Sequence, residues 1–119
     1  MPRFVILTHD HPTWHWDFML EVAGVLRTWR LDSDPGQSGP VRATPLSDHR
    51  LLYLDYEGPV SNQRGSVLRW DAGEYELLDE TGGLLSVTLN GKKLTGRVML
   101  MKAEDGTLWW TRMLAASAT

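Results

Sequence analysis

Short segments with the patterning of β-strands follow one another along the chain, and none of them sustains a helical period. Turn-forming residues separate these segments, and Asn90-Gly91 is the strongest two-residue hairpin signal among them. The predicted strands cover residues 3–8, 14–21, 25–31, 50–57, 66–71, 74–78, 84–89, 93–102 and 107–113. Residues 32–40 are predicted to form a loop, residues 71–73 a turn, and residues 115–119 a frayed tail.

Many short strands at regular intervals predict an all-β fold, either a small antiparallel β-barrel or a sandwich. The chain has 119 residues, the length of one domain, and we expect that domain to span residues 1–119. We favour the barrel, because alternate residues line the interior of a barrel and a metal site can form in its mouth.

The second predicted strand separates polar from apolar side chains. Successive side chains of an extended strand point to opposite faces. One face holds His15, Asp17, Met19 and Glu21, and the other holds Trp14, Trp16, Phe18 and Leu20. We expect the apolar face to be buried, which leaves the polar face displayed for a function.

The polar face of this strand predicts a metal site. An imidazole and a carboxylate two residues apart on a rigid strand, His15 and Asp17, can both reach one cation. His9 lies across a Pro-containing bend and can complete a set of two histidines and one carboxylate. His11, within the bend, is the alternative to His9. The alternative without a function is that these are solvated polar residues on an exposed sheet. That alternative is disfavoured because three of the four histidines of the chain are concentrated here.

A second group of candidate residues consists of His49 and Tyr53. If this segment is a strand, both side chains lie on one face, with Leu51 between them. A histidine that is not a metal ligand, with a phenol nearby, suits proton transfer or contact with a phosphoryl oxygen. Taken by itself, the pair fits a capping histidine and a core tyrosine better.

Composition narrows the classes of function. Hydrophobic residues make up 42% and charged residues 23% of the chain, as in ordinary globular proteins. A net charge of −3 gives no overall basic field, so indiscriminate nucleic-acid binding is not expected. The absence of cysteine excludes disulfides and thiolate metal ligands. Without a transmembrane-length apolar run or a signal-peptide pattern, we expect a cytoplasmic protein with no membrane partner.

The six tryptophans raise the alternative of stacking platforms for single-stranded nucleic acid. Their apolar surroundings predict core positions for Trp14, Trp16, Trp29 and Trp70 instead. Trp109 and Trp110 are adjacent, so one of the two must point away from the core.

Taken together, these groups of residues resemble a known family. The matching segments are Arg3-Phe4-Val5-Ile6, His9-Asp10, His15-x-Asp17-Phe18-x-Leu20-Glu21, Gly24-Val25-Leu26-x-x-Trp29, Asp48-His49-x-Leu51-x-Tyr53, Tyr56-Glu57-Gly58, Trp70-Asp71-x-Gly73 and Leu89-x-Gly91-x-Lys93-Leu94-x-Gly96. In this order, and followed by a Trp-rich strand, they resemble the 3′-phosphoesterase domain of bacterial DNA ligase D. We expect a stand-alone version of this domain, without an attached ligase or polymerase module.

The resemblance implies a small β-barrel that removes 3′-ribonucleotides and 3′-phosphates from DNA ends in DNA repair. It implies a divalent metal, typically manganese, with zinc as the alternative. His9, His15 and Asp17 match the metal ligands of the family. His49 and Tyr53 match residues that contact the phosphate and assist the reaction. The implied substrate is the 3′ end of a primer–template, and the implied partner is a separate ligase or end-joining protein.

Four features depart from the family pattern. In the family, an arginine follows the ligand aspartate by two residues. This chain has Met19 at that position, and a thioether cannot donate a hydrogen bond to a phosphate. Ser47 replaces an acidic residue before the Asp-His pair. The segment after Gly58 is shortened, and we expect no counterpart of the arm that precedes the first strand in the family. Arg42 and Arg64 are the candidates to supply the missing positive charge.

The sequence therefore favours a metal-dependent phosphoesterase that acts on DNA 3′ ends. The alternative is a catalytically weakened module that binds DNA ends or a small anion, and Met19 is the feature that separates the two hypotheses. A cupin-like metal enzyme of other chemistry also fits the His-x-Asp spacing.

Overall fold

The computed structural model describes residues 1–113 and consists almost entirely of antiparallel β-strands. The strands are β1 (Arg3–His9), β2 (His15–Val22), β3 (Val25–Leu31), β4 (Val41–His49), β5 (Gly58–Pro59), β6 (Ser66–Thr81), β7 (Leu84–Gly91), β8 (Thr95–Lys102) and β9 (Leu108–Met113). The single helix among the described residues is a 3-10 helix over Leu51–Leu54. Within this part of the chain, no helix is long and apolar enough to cross a membrane.

Eight of the strands close into a barrel. Their order is β1-β2-β3-β4-β9-β8-β7-β6, and β6 pairs back with β1. The short strand β5 pairs with β6 outside this ring. The predicted all-β antiparallel barrel is therefore confirmed.

Apolar side chains from all eight barrel strands fill the interior. They are Phe4, Ile6, Phe18, Leu20, Trp29, Leu31, Val41, Ala43, Tyr75, Leu85, Val87, Leu89, Val98, Leu100 and Trp110. Full burial of one aliphatic or Phe side chain stabilises a fold by about 1.5–3 kcal/mol. The interior is thus a packed apolar core.

A second apolar cluster lies on the outer face of the barrel wall. Cross-strand partners share a face, and Val5 faces Met19 while Leu7 faces Asp17. The buried members of this cluster are Val5, Leu7, Met19, Leu26, Leu54 and Val67, with Tyr53, Tyr56 and Val60 packed against them. The segment between β4 and β6 therefore covers the polar face of β2, and the expectation that this face is displayed to solvent is wrong.

The strands differ from the predictions over residues 41–57. Residues 50–57 are not a strand, because the chain leaves β4 at His49 and turns through the 3-10 helix. β4 itself was not predicted, since Pro45 interrupts it and most of its side chains are exposed. It forms because β3 and β9 provide backbone partners on both sides.

β6 runs without a turn through residues 71–73, where a turn was predicted. A Cβ atom at Gly73 would lie 2.0 Å from the carbonyl oxygen of Asn90. The backbones of β6 and the end of β7 therefore lie so close at Gly73 that only glycine fits there. The predicted hairpin over residues 84–102 is confirmed, but its connection lies at residues 92–94, because Asn90 and Gly91, the predicted turn, belong to β7.

The tryptophans are placed as predicted with one exception. Trp29 and Trp110 are buried in the barrel, and Trp16 and Trp70 pack against its core. Trp14 precedes β2 and is 56% exposed, with its ring edge-on to that of Trp16. The predicted fraying of residues 115–119 lies outside the described residues.

Candidate functional site

The three predicted metal ligands lie together near one end of the β1–β2 pair. His9 pairs directly with His15, and Asp17 is two residues further along β2. All three belong to the outer face of the wall, the face of the second cluster, rather than to the barrel interior. The site expected in the barrel mouth thus lies outside the barrel, because apolar side chains occupy the interior.

One donor atom from each of these residues lies close enough to the others for all three to bind a single ion. The ligand atoms of His9, His15 and Asp17 all lie within 4.8 Å of one another. Nε2 of His15 is 3.2 Å from Oδ1 of Asp17, and Nδ1 of His9 is 3.5 Å from Oδ2. His11 is exposed and does not belong to this set, so the structure brings His9 to the site and leaves the alternative outside it.

Backbone carbonyl groups determine which imidazole nitrogens face the carboxylate. A carbonyl oxygen only accepts, so Nδ1–H of His15 donates to the Thr13 carbonyl at 2.8 Å. By the same reasoning, Nε2–H of His9 donates to the Arg64 carbonyl at 2.7 Å. Each ring therefore keeps its other nitrogen as a lone pair directed at Asp17, which is how histidine ligands are oriented in metal sites.

The site favours a positive charge beside Asp17. This residue is 3% exposed, and its Oδ1 has no hydrogen-bond partner among the described residues. A buried carboxylate without compensation is costly. Burial opposes the charged form of His15, but in that form Nε2–H would donate to Asp17 while Nδ1–H donates to the Thr13 carbonyl, and these hydrogen bonds raise the pKa of His15 above the ordinary value. A proton or a metal ion between these side chains satisfies the same requirement.

A cleft of about 300 Å³ opens beside the triad. Its lining includes His9, Asp17, Met19, His49, Tyr53 and Arg64, together with Ser47, Asp48, Arg50, Val60 and Val67. Met19 lies in its wall and is 1% exposed. The structure thus brings the two predicted groups of residues to one cleft.

His49 and Tyr53 meet although no strand joins them. His49 ends β4, and the 3-10 helix returns Tyr53 to it, with ring centroids 5.7 Å apart and the planes inclined at 67°. Nδ1–H of His49 donates to the Ser47 carbonyl at 2.9 Å, which leaves Nε2 for a ligand. Tyr56 packs edge-on against Tyr53, so the pair is supported from behind.

The two arginines proposed for phosphate binding are placed differently. Arg64 lines the cleft, and its guanidinium donates to the carbonyl and hydroxyl oxygens of Ser61. Arg42 lies opposite Trp109 on β4 and β9 and lines a separate depression with Lys102. The structure therefore does not bring Arg42 to the site.

Sequence reasoning missed several groups that build the site. The carbonyls of Thr13 and Arg64 are backbone atoms, which no residue pattern reveals. Asp10 accepts a hydrogen bond from the backbone N–H of Ser66 at 2.8 Å and so ties the bend after β1 to the segment that contains Arg64. Arg50, next to His49, lines the cleft.

The barrel carries two histidines and a carboxylate beside the His49–Tyr53 pair. Comparison with known families agrees with this arrangement. The DNA Ligase D 3′-phosphoesterase domain family matches residues 7–102. The chain belongs to this family, and the resemblance seen in the sequence is confirmed.

The curated relatives are longer proteins. The chain is 34% identical over 110 residues to the multifunctional non-homologous end joining protein LigD of Pseudomonas aeruginosa, an alignment covering 84% of this chain and 13% of that protein. It is 32% identical over 120 residues to the multifunctional non-homologous end joining DNA repair protein LigD of Mycobacterium tuberculosis, covering 93% and 16%. For LigD of Mycolicibacterium smegmatis the identity is 30% over 123 residues, covering 90% and 16%. The chain thus spans less than a fifth of the length of these relatives.

Proposed function

We propose that this protein is a divalent-metal-dependent phosphoesterase that removes a 3′-phosphate or a 3′-ribonucleotide from DNA ends in end-joining repair. The observation that carries the proposal is the convergence of His9, His15 and Asp17 beside a cleft that also holds His49 and Tyr53. Membership of the 3′-phosphoesterase domain family supports the reaction type, and relatives named for non-homologous end joining support the DNA-end substrate. We also propose a separate ligase or end-joining protein as partner, and a cytoplasmic location.

The triad would hold the metal through Nδ1 of His9, Nε2 of His15 and the carboxylate of Asp17. The unpartnered Oδ1 of Asp17 and the two directed lone pairs support this assignment. Two imidazoles and a carboxylate suit manganese, which we propose as the metal, and zinc is the alternative. When bound, such an ion neutralises phosphoryl charge and lowers the pKa of a coordinated water.

His49 is positioned to deliver the proton that the leaving group needs. Hydrolysis joins a water oxygen to phosphorus, breaks the bond between phosphorus and O3′, and leaves O3′ with a proton. The Ser47 carbonyl holds Nδ1–H of His49, so a proton on Nε2 is the one available for transfer. After transfer the ring is neutral and keeps its hydrogen bond to Ser47.

Tyr53 is proposed to assist in two ways. Its ring lies against His49 and limits the orientations of the imidazole. Tyr53 lines the same cleft as His9 and Asp17, and a tyrosine hydroxyl can donate a hydrogen bond to a phosphoryl oxygen. Developing negative charge on that oxygen strengthens such a hydrogen bond in the transition state.

Met19 supports a second candidate function. Its side chain is 1% exposed and lies within the second apolar cluster, so the wall of the cleft beside Asp17 offers no hydrogen-bond donor at this position. A site with a metal but a weakened grip on phosphate could bind a DNA end without hydrolysing it. This binding module would use the same residues and the same metal.

The test is turnover of a primer–template that carries a 3′-phosphate, by purified protein with manganese and, separately, with zinc. We expect release of inorganic phosphate and a new 3′-hydroxyl, and we expect a chelator to stop the reaction. Asp17→Asn should lose both activity and stoichiometric metal binding in a calorimetric titration. His11→Ala is the matched control, because His11 is an exposed histidine on the same bend that lies outside the donor set.

The results separate the two candidate functions. Metal binding and tight binding of the DNA end without turnover would favour the binding module. Undiminished metal affinity in both Asp17→Asn and His15→Ala would overturn the metal site itself.

A further inference from the structure

Two arginines line the cleft, Arg50 and Arg64, and the proposed chemistry uses neither side chain. Arg50 directly follows His49, and its exposed side chain lines the same cleft as His9, Asp17 and Tyr53. It was not among the residues that the sequence indicated for phosphate binding.

The guanidinium of Arg50 is free, whereas those of its neighbours are engaged. Arg64 donates to Ser61, Arg69 donates to the Leu54 carbonyl, and Arg3 is paired with Asp55. Among residues 1–113, Arg50 donates no side-chain hydrogen bond and forms no ion pair, even with Asp48, which lines the same cleft. A free guanidinium beside a candidate metal site is available to an anion.

The backbone of Arg50 is held in place. Its carbonyl accepts a hydrogen bond from Tyr53 N–H at 3.1 Å, which begins the 3-10 helix. On its other side, His49 pairs with Leu26 at the end of β4. The backbone of Arg50 is therefore anchored between His49, to which the proposed function assigns proton transfer, and Tyr53, to which it assigns contact with the phosphate.

The chemistry of the cleft wall explains why this position matters. Met19 cannot donate a hydrogen bond, so an arginine that grips the phosphate must approach from the rim of the cleft. A guanidinium presents a planar fork of N–H groups that matches two oxygens of a phosphate. A terminal phosphate monoester carries more negative charge and one more terminal oxygen than the diester that links a ribonucleotide.

We propose that Arg50 binds the terminal phosphate and determines a preference for 3′-phosphate ends over 3′-ribonucleotide ends. The inference rests on the proposed function, because it assigns a substrate preference to the same site. Arg50 acts through substrate binding, so its removal should raise KM for the phosphate end and leave kcat close to that of the natural protein.

The experiment compares the natural protein, Arg50→Ala, Arg50→Lys and Lys92→Ala on both kinds of 3′ end with manganese. Lys92 is an exposed cation in the turn between β7 and β8, so its removal makes the same change in net charge away from the cleft. Loss of one charge-assisted contact predicts a rise in KM of about tenfold to a hundredfold for the 3′-phosphate end in Arg50→Ala. Arg50→Lys should recover part of this loss, because lysine keeps the charge without the planar fork.

Two kinetic outcomes overturn the inference. One is a rise in KM for Arg50→Ala no larger than that for Lys92→Ala. The other is an equal rise for 3′-phosphate and 3′-ribonucleotide ends, which would show that Arg50 does not discriminate between them.

A titration of the metal-free protein with inorganic phosphate, followed through the ring resonances of His49, separates this inference from the proposed function. If the natural protein turns over neither substrate, the proposed function falls. Arg50 is then judged by the phosphate titration alone. Binding that is weakened about tenfold or more in Arg50→Ala supports its phosphate-binding role. Equal binding, or no binding by the natural protein, overturns it.

Discussion

Nε2–H of His9 donates a hydrogen bond to the carbonyl oxygen of Arg64, 2.7 Å away and 55 residues later in the chain. The orientation of a candidate metal ligand on β1 therefore depends on the backbone of the segment that connects β5 with β6. Partners of this kind typically change metal affinity by about tenfold to a hundredfold when they are lost.

Gly65→Ala is predicted to weaken metal binding without touching any ligand. Gly65 has φ +74°, and a Cβ atom there would lie 2.1 Å from Oδ1 of Asp10 and 2.8 Å from Cβ of His11. The segment must shift, and the Arg64 carbonyl moves with it. We expect a loss of manganese affinity of about tenfold or more by calorimetric titration.

Gly82→Ala is the control for this prediction. Gly82 lies between β6 and β7, and a Cβ atom there would have no neighbour within 4 Å. Its manganese affinity should match that of the natural protein. Equal affinity in the Gly65 and Gly82 variants would mean that the Arg64 carbonyl does not orient His9.

His49→Ala is predicted to separate metal binding from catalysis. His49 lies in the cleft but not in the donor set of the triad, so manganese affinity should stay unchanged. Loss of a general acid should lower kcat on the 3′-phosphate end by roughly 10²–10⁴-fold. Metal titration and single-turnover kinetics on the same preparations measure both. A loss of metal affinity in this variant would show that the division of roles is wrong.

Asp71→Asn is predicted to destabilise the barrel. The buried carboxylate accepts backbone N–H groups from Ala72, Lys92, Lys93 and Leu94, at 2.9, 2.8, 3.1 and 2.8 Å. An amide in its place turns an N–H₂ group toward some of these donors and leaves them unpaired. Since hydrogen bonds to charged groups contribute about 1.5–3 kcal/mol, we expect a loss of this size in the free energy of unfolding.

Urea unfolding measures the effect, and Asp79→Asn is the matched control on the same strand. Asp79 is exposed and makes no side-chain hydrogen bond that the structure records within residues 1–113. Similar midpoints for the two variants would rule out the stabilising role of Asp71.

Tyr75→Phe is predicted to change how stability depends on alkaline pH. Burial raises the pKa of Tyr75 above its ordinary value of about 10, and its hydroxyl donates to the Glu21 carbonyl at 2.7 Å. The folded protein therefore holds this proton more tightly than the unfolded chain. The resulting stability is complete below about pH 10 and is lost as the pH rises from there through the folded-state pKa.

At neutral pH the Tyr75→Phe protein should be less stable by about 1 kcal/mol, the usual contribution of one hydrogen bond. Above about pH 10 this difference should shrink, because only the natural protein loses the contribution of Tyr75. Denaturant titrations across the alkaline range test this, and Tyr53 and Tyr56 are present in both proteins. A difference that is constant with pH would contradict the prediction.

The sequence by itself determined the local features of the fold. Alternation over β1 to β3 reports which side chains share a face, a property of extended backbone that needs no tertiary information. Asn90-Gly91 likewise predicted a β7–β8 hairpin, although both residues belong to β7 and the connection lies at residues 92–94. The residue types and spacing of His9, His15 and Asp17 predicted the group that the structure brings together. For His15 and Asp17 the reason is that strand residues of one parity project to the same face.

Only the tertiary structure decided where that donor set lies and what completes it. The segment that covers Met19 and Asp17 begins more than twenty residues after β2, so strand alternation could not report that both faces of β2 are buried. In the sequence, Arg42 and Arg64 were equal candidates for phosphate binding. Closure of the barrel places Arg42 away from the cleft and brings the backbone carbonyl of Arg64 to His9. Side-chain parity is local, whereas burial and backbone hydrogen bonding between distant segments depend on how β1 closes against β6.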